Sequence, residues 1–234
     1  MRIVLVRPRD PNNVGAAARA MANFSLADLV VVDPWEPTWR EAKSAVGAGS
    51  VLESARVVGT LEEAVADRVY VGATTAATRR SLARAVEPRA FFEAAAGNGG
   101  DAWEASAVIF GNEKHGLSTA DIERCHATIR IPTGAEQPSM NLAQAVAVCC
   151  YEAALARGAA RAPEVRPTRR ERPATIGELE ALLEAAIPVA EDARVEARRA
   201  CARDRLRRML LRSEATASDV GLLRGLVARR RRDR

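Results

Sequence analysis

Asn13, Gly15 and Arg19 fall within one short stretch, PNNVGAAARAM, that starts at Pro11. On a helix, Arg19 lies one turn beyond Gly15, on the face the glycine leaves open to close approach. A helix start with an arginine nearby suits an anion or a phosphate, and the same spacing also suits a plain surface ion pair. A second stretch, VIFGNEKHGLS from Val108, runs from strand-like residues into Gly111, Asn112, Glu113 and Gly116, before Ser118 caps a new helix. Glycines at the C-terminal end of a strand expose main chain where open α/β sheets bind ligands. Glu113 and His115 stand i, i+2 on a loop, so spacing leaves open whether they pair as acid and base; His115 alone reads as an ordinary loop residue. The third stretch begins at Ile131, passes through a bend containing Gly134, Pro138 and Ser139, and reaches Asn141 where an apolar helix begins. Such a bend exposes peptide N–H and C=O groups, and a helix start adds unpaired N–H donors.

The elements that must position these residues follow from periodicity. Val- and Ile-rich runs recur at Ile3–Val6, Leu29–Val32, Val69–Val71, Val108–Phe110 and Ile129–Ile131, separated by helical spacing such as Val14–Phe24 and Leu61–Ala66. This alternation predicts an α/β fold with a mainly parallel sheet and helices on both faces. The helix beginning at Asn141 is expected to end near Gly158. Residues 158–174, with three prolines and no apolar period, read as a linker rich in Pro and Arg. Beyond it, Thr175 with Glu178 forms a capping-box pattern ahead of Leu179, Leu182, Leu183 and Ala186. Two more helical stretches, 191–211 and 219–227, complete a small C-terminal module over 175–234; Val195, Ala202, Leu206, Met209 and Leu210 form the stripe of the first.

With 234 residues, 48% of them hydrophobic, the chain is long enough for one main domain and an appendage. Its apolar runs are too short to cross a bilayer as a helix, and the opening RIVLVRP shows no signal-peptide pattern, so it reads as cytoplasmic with no membrane partner. No G-x-G-x-x-G or Walker-type loop occurs, which argues against dinucleotide or NTP binding by the usual loops. The four cysteines have no C-x-x-C spacing; Cys149 and Cys150 are adjacent on a helix and read as packing residues, and no metal site is proposed. The formal net charge of +5 conceals an asymmetry: residues 198–234 hold 13 Arg against 4 acids. That basic tail is either a solvated face or a footprint for a nucleic-acid backbone.

Taken in order at successive strand ends, N-x-G-x-x-x-R (Asn13 to Arg19), F-G-x-E-x-x-G-L (Phe110 to Leu117) and I-P-x(n)-S-x-N-x-A-x-A-V (Ile131 to Val146) resemble the three motifs of the SpoU (TrmH-like) branch of the SPOUT RNA methyltransferases. Within that branch the chain is most similar to the TrmJ group of tRNA 2′-O-ribose methyltransferases, on CHATIRIPT, on the absence of an N-terminal extension and on the helical C-terminal stretch ending in LLRGLVARR.

The resemblance implies a methyltransferase domain over residues 1–157 with a C-terminal deep trefoil knot, one of the exceptions to the rule against threaded chains. It implies an S-adenosylmethionine pocket lined by Thr74 and Thr75, Gly111 and Glu113, Ile131 and Pro132, and Ser139, Met140 and Leu142. It also implies a homodimer, with the Arg19 motif near the interface, and methyl transfer to a ribose 2′-oxygen of tRNA, at nucleotide 32 of the anticodon loop. Arg19 matches the family's catalytic arginine; because a guanidinium stays protonated, its role would be to orient phosphate and stabilise charge developing on oxygen. Asn13 would position the same groups, while Ser139 and Asn141 would hold the pocket and the ribose. Glu113 matches a family position and is not assigned as the base. Met140 stands where leucine is common, and TTAATRR from Thr74 matches only loosely. A ribosomal-RNA 2′-O-methyltransferase and a catalytically silent RNA-binding protein on the same fold are the alternatives.

Overall fold

The computed structural model describes all residues except 36–38, 43, 77–83, 98–99, 160–171, 189 and 233–234. Most of the expected linker therefore lies outside the described residues. In chain order the elements are β1 (Arg2–Val6), α1 (Pro11–Asn23), β2 (Asp28–Val32), α2 (Gly49–Ser54), β3 (Arg56–Val58), α3 (Leu61–Val65), β4 (Tyr70–Thr74), β5 (Arg84–Val86), α4 (Pro88–Gly97), α5 (Gly100–Glu104), β6 (Ser106–Phe110), α6 (Thr119–Glu123), β7 (Ala127–Ile129), α7 (Leu142–Ala159), α8 (Ile176–Ala186), α9 (Ala193–Arg212) and α10 (Ala217–Arg232).

The strands form one seven-stranded sheet in the order β3-β2-β1-β6-β4-β7-β5, and the described pairings are all parallel. The central strands are the apolar runs of the sequence, buried on both faces as parallel strands must be. The two strands that periodicity does not reveal, β3 and β5, are three-residue edge strands, and β3 leaves Val57 exposed. The strand expected at Ile129–Ile131 is instead Ala127–Ile129, because His126 and Ala127 join the ladder and the chain leaves the sheet before Ile131.

Each face of the sheet buries its own cluster. On one side α1, α2, α4 and α7 cover Ile3, Leu5, Leu29, Val31 and Val108, with Cys149 and Cys150 packed inside as expected from their helical spacing. On the other, Val4, Val6, Val30, Val32 and Ile109 join Leu61 and Val65 of α3, Leu179, Leu182 and Leu183 of α8, Leu210 and Leu211 of α9 and Val220 of α10. Thr175 caps α8 through the full capping box with Glu178. The main-chain N–H groups of Ile176 and Gly177 donate to Arg68 and Ala66 at 2.8 and 2.7 Å, which pins the start of α8 beside the end of α3. The α9 stripe is shifted from expectation: Leu210 and Leu211 face the core, whereas Val195 and Met209 are exposed. Among the described residues α7 ends at Ala159, next to the Arg157–Gly158 stop expected from the sequence.

Candidate active site

Because the paired strands are all parallel, β1, β6, β4 and β7 end at one edge, and the loops after them converge there. The strand order reverses direction beside β1, the place where open α/β sheets leave a crevice. A cavity of about 560 Å³, within the size range of small-molecule sites, opens at this edge of the sheet among the segments that follow β4, β6 and β7.

Its floor is set by a glycine contact. Gly111, directly after β6, carries no side chain, and a Cβ there would collide with main-chain atoms of Gly116 and Leu117. The loop can fold this tightly because Gly116 adopts φ +66° and Asn112 closes it, its Oδ1 accepting from the N–H groups of Lys114 (3.0 Å) and His115 (2.7 Å). The Thr74 hydroxyl donates to the Ile109 carbonyl at 3.0 Å, and the Thr75 N–H donates to Ile129 at 3.0 Å, tying the end of β4 to β6 and β7. Across the cavity the bend closes on itself, with the Thr133 hydroxyl donating to the Pro138 carbonyl at 3.1 Å.

Of the residues expected to line a cofactor pocket, Thr74, Thr75, Gly111 and Glu113 line this cavity on one side, and Ile131, Ser139, Met140 and Leu142 on the other. Pro132 is a correction: it is exposed and is not in the lining, although its neighbours Ile131 and Thr133 both are. Thr128, Thr133 and Asn112 line the cavity and were not singled out from the sequence. Thr128 sits inside an apolar-looking strand, where nothing local distinguishes a wall residue from core.

Asn13, Arg19 and Asn141 are not in the lining. Asn13 and Asn141 instead build its rim. Asn141 caps α7, its Oδ1 accepting from Ala143 N–H (2.9 Å) and Gln144 N–H (3.3 Å), and its Nδ2 donates to Asn13 Oδ1 at 2.9 Å. Asn13 in turn donates through Nδ2 to Glu113 Oε1 at 2.9 Å. Glu113 also accepts from the N–H groups of Arg9 and Asp10, at 3.0 and 3.1 Å. The anion expected at the start of α1 is thus the protein's own carboxylate. Burial pushes the Glu113 carboxyl up, but the hydrogen bonds from Asn13, from the main chain of Glu113 itself and from Arg9 and Asp10 outweigh it and hold the group below its ordinary value, ionised at neutral pH. Three distant stretches are joined by one chain of contacts, Asn141 to Asn13 to Glu113.

Gly15 makes its close approach to Ala42 and Ser44, and the Ser44 hydroxyl donates to Asn12 at 2.7 Å. Arg19 is exposed on α1 and has no hydrogen-bond or ion-pair partner among the described residues. On the opposite side of the site, Arg7 donates to Asp121 at 2.7 Å, and Asp121 with Ser118 forms the capping box of α6.

Residues 1–151 match the SpoU rRNA Methylase family. The chain belongs to that family. Among curated SpoU relatives, the tRNA (cytidine/uridine/adenosine-2′-O-)-methyltransferase TrmJ of Pseudomonas aeruginosa is 38% identical over 177 residues, which span 74% of this chain and 66% of that protein. The tRNA (cytidine/uridine-2′-O-)-methyltransferase TrmJ of Yersinia enterocolitica is 32% identical over 235 residues, 97% of this chain and 90% of that protein. The crystal structure of TrmJ from Z. mobilis superposes with a TM-score of 0.77 at 31% identity, covering 97% of each chain. In this SpoU member the fold expected from the alternation of strands and helices, a mainly parallel sheet covered on both faces, is observed.

Proposed function

We propose that the protein is an S-adenosylmethionine-dependent tRNA 2′-O-ribose methyltransferase acting as a cytoplasmic homodimer, with nucleotide 32 of the anticodon loop as acceptor. The observation that carries this reading is the Asn141–Asn13–Glu113 chain at the rim of the cavity. The cavity suits the donor: Ile131, Met140 and Leu142 offer apolar walls for a flat ring, and the bend from Ile131 to Asn141 offers main-chain donors and acceptors for polar ends. Bound there, S-adenosylmethionine supplies an electrophilic methyl group. The ionised Glu113 gives the cavity negative charge toward a cationic donor while keeping Asn13 oriented. Arg19, exposed and without a partner among the described residues, orients an RNA phosphate and stabilises charge developing at the 2′-oxygen.

The path of the chain supports the trefoil knot: β7 inserts between β4 and β5, and α7 returns to pack against both α1 and α4. The dimer reading is supported by α7, where Tyr151 and Leu155 stay 49% and 43% exposed and Tyr151 meets Phe24 edge-on beside α1. The assignment of residues 1–157 to catalysis, 158–174 to a linker and 175–234 to RNA contact is part of the same proposal. Arg203, Arg207 and Arg208 are engaged in ion pairs with Glu196, Glu180 and Glu123, so RNA contact falls to Arg198, Arg205, Arg212, Arg224 and Arg229, all exposed and without acidic partners among the described residues.

The test is methyl transfer from labelled S-adenosylmethionine to tRNA lacking the modification, followed by mapping of the modified ribose. Arg19→Ala is expected to lower kcat/KM about 100-fold or more while changing stability by less than about 0.5 kcal/mol. Transfer to ribosomal RNA but not to tRNA would move the assignment to the other RNA; donor binding without transfer to either would leave a silent RNA binder.

A further inference from the structure

Two of the three tryptophans, Trp39 and Trp103, are buried at 2% and 7% exposure, whereas Trp35 is 68% exposed, the highest of any large apolar side chain among the described residues. An indole that packed only for stability would be covered, since an aromatic side chain contributes chiefly through the area it buries. Trp35 is nevertheless held in place. Its main-chain N–H donates to the Pro8 carbonyl at 3.1 Å, and the Arg7 N–H donates to Val32 at 2.8 Å, so the loops after β1 and β2 are tied together at two points. The Arg9 guanidinium carbon lies 4.8 Å from the ring centroid. The main chain of the same Arg9 donates to Glu113, which lines the cavity. A flat, exposed, positively flanked surface is thereby fixed one residue away from the rim.

We propose, on the strength of the RNA methyltransferase reading above, that the Arg9–Trp35 pair is the stacking seat for an unpaired base of the substrate RNA next to the ribose being methylated. Single-stranded RNA is gripped by stacking splayed bases on aromatic rings and guanidinium planes, with the cation attracting the adjoining phosphate. The pair presents both surfaces at once, and among the described residues the Arg9 guanidinium has no acidic side chain bonded to it that would compete for that phosphate. The cavity lining itself offers as rings only the exposed His115 imidazole and the buried Phe110, and neither presents a flat surface as large as the exposed indole.

The test uses the full-length protein, S-adenosylmethionine and tRNA lacking the modification. Acrylamide quenching reads Trp35 almost alone, because the other two tryptophans are buried. The quenchable emission is expected to fall when tRNA is added and to be missing in Trp35→Ala. Trp35→Ala is also expected to raise KM for tRNA about tenfold, with a much smaller change in kcat and an unchanged Kd for the donor. Trp35→Phe should recover part of the loss, and Arg9→Lys, which keeps charge but not the plane, should fall between. A normal KM in Trp35→Ala with active wild type would overturn the proposal and leave the enzymatic reading intact. So would a Trp35 already shielded without RNA, since a second copy would then cover it. Neither protection nor methylation in the wild type would overturn both.

Discussion

Replacing Gly111 by alanine tests whether the cavity owes its shape to one close main-chain contact. A Cβ at Gly111 would meet the carbonyl carbon of Gly116 and the nitrogen of Leu117 well inside contact distance, and the Gly116 oxygen at 2.5 Å. Ordinary contact begins near 3.4 Å, so relieving even the longest of these requires the Gly116–Leu117 segment to move by about 1 Å. None of the atoms met is the tip of a flexible side chain, and the segment is held by Asn112, whose carbonyl accepts from Gly116 N–H at 2.9 Å. The loop must therefore shift as a body, and it forms one wall of the cavity. Overpacking of this kind costs roughly 1–3 kcal/mol of stability, and a displacement near 1 Å in a positioned site lowers turnover by about 100-fold. Calorimetric titration with S-adenosylmethionine, thermal unfolding and methyl-transfer kinetics read the three consequences separately. Gly116→Ala serves as comparison: its Cβ would meet nothing within 4 Å, and only the strain of φ +66° remains, about 1 kcal/mol. Wild-type donor affinity in Gly111→Ala would refute the argument that this contact shapes the pocket.

Asn141→Asp keeps an oxygen to cap α7 but has no N–H for Asn13, so unfolding should stay within about 0.5 kcal/mol of wild type while kcat/KM drops at least about tenfold; Asn141→Ala should lose about 1 kcal/mol as well. Equal activity of Asn141→Asp and wild type would remove the rim from the mechanism. His126 accepts the Val71 N–H at Nδ1 (3.1 Å), and burial holds its pKa down at about 4. Between the ordinary value and about 4 the unfolded chain binds a proton that the folded chain refuses, so stability present above pH 6.5 is lost as pH falls, by about 2 kcal/mol from pH 7.5 to 5. Urea titrations at the two values should show this fall in wild type and a smaller one in His126→Gln. Glu113, with its folded value lowered, contributes stability above the ordinary glutamate range that disappears on acidification through its folded value; Glu113→Gln should shift the acid limb of donor binding, read by titration from neutral pH to well below the ordinary glutamate value.

The core strands were legible because a strand buried on both faces is apolar along most of its length, as Ile3–Val6, Leu29–Val32 and Ala107–Phe110 are. The helix starts at Thr175 and Ser118 were legible because capping is local chemistry, written within four residues. The edge strands β3 and β5 carried no such mark, since an edge strand is stabilised by its neighbour and need not be apolar itself. The motif residues announced that a site exists, but their roles divided only in three dimensions. Ser139 and Met140 line the cavity, Asn13 and Asn141 tie its rim, Arg19 is exposed without a partner among the described residues, and Pro132 stands clear. The sequence by itself determined the α/β alternation, the capped helices and the presence of three polar stretches at strand ends, because periodicity, capping and turn chemistry act over a few residues. Only the tertiary structure decided that Glu113 receives Arg9, Asp10 and Asn13 from about 100 positions away, that α8 to α10 close the sheet's second face, and that Trp35 is left uncovered beside the site. Those outcomes depend on which strands become neighbours, and sheet order is a property of the whole chain.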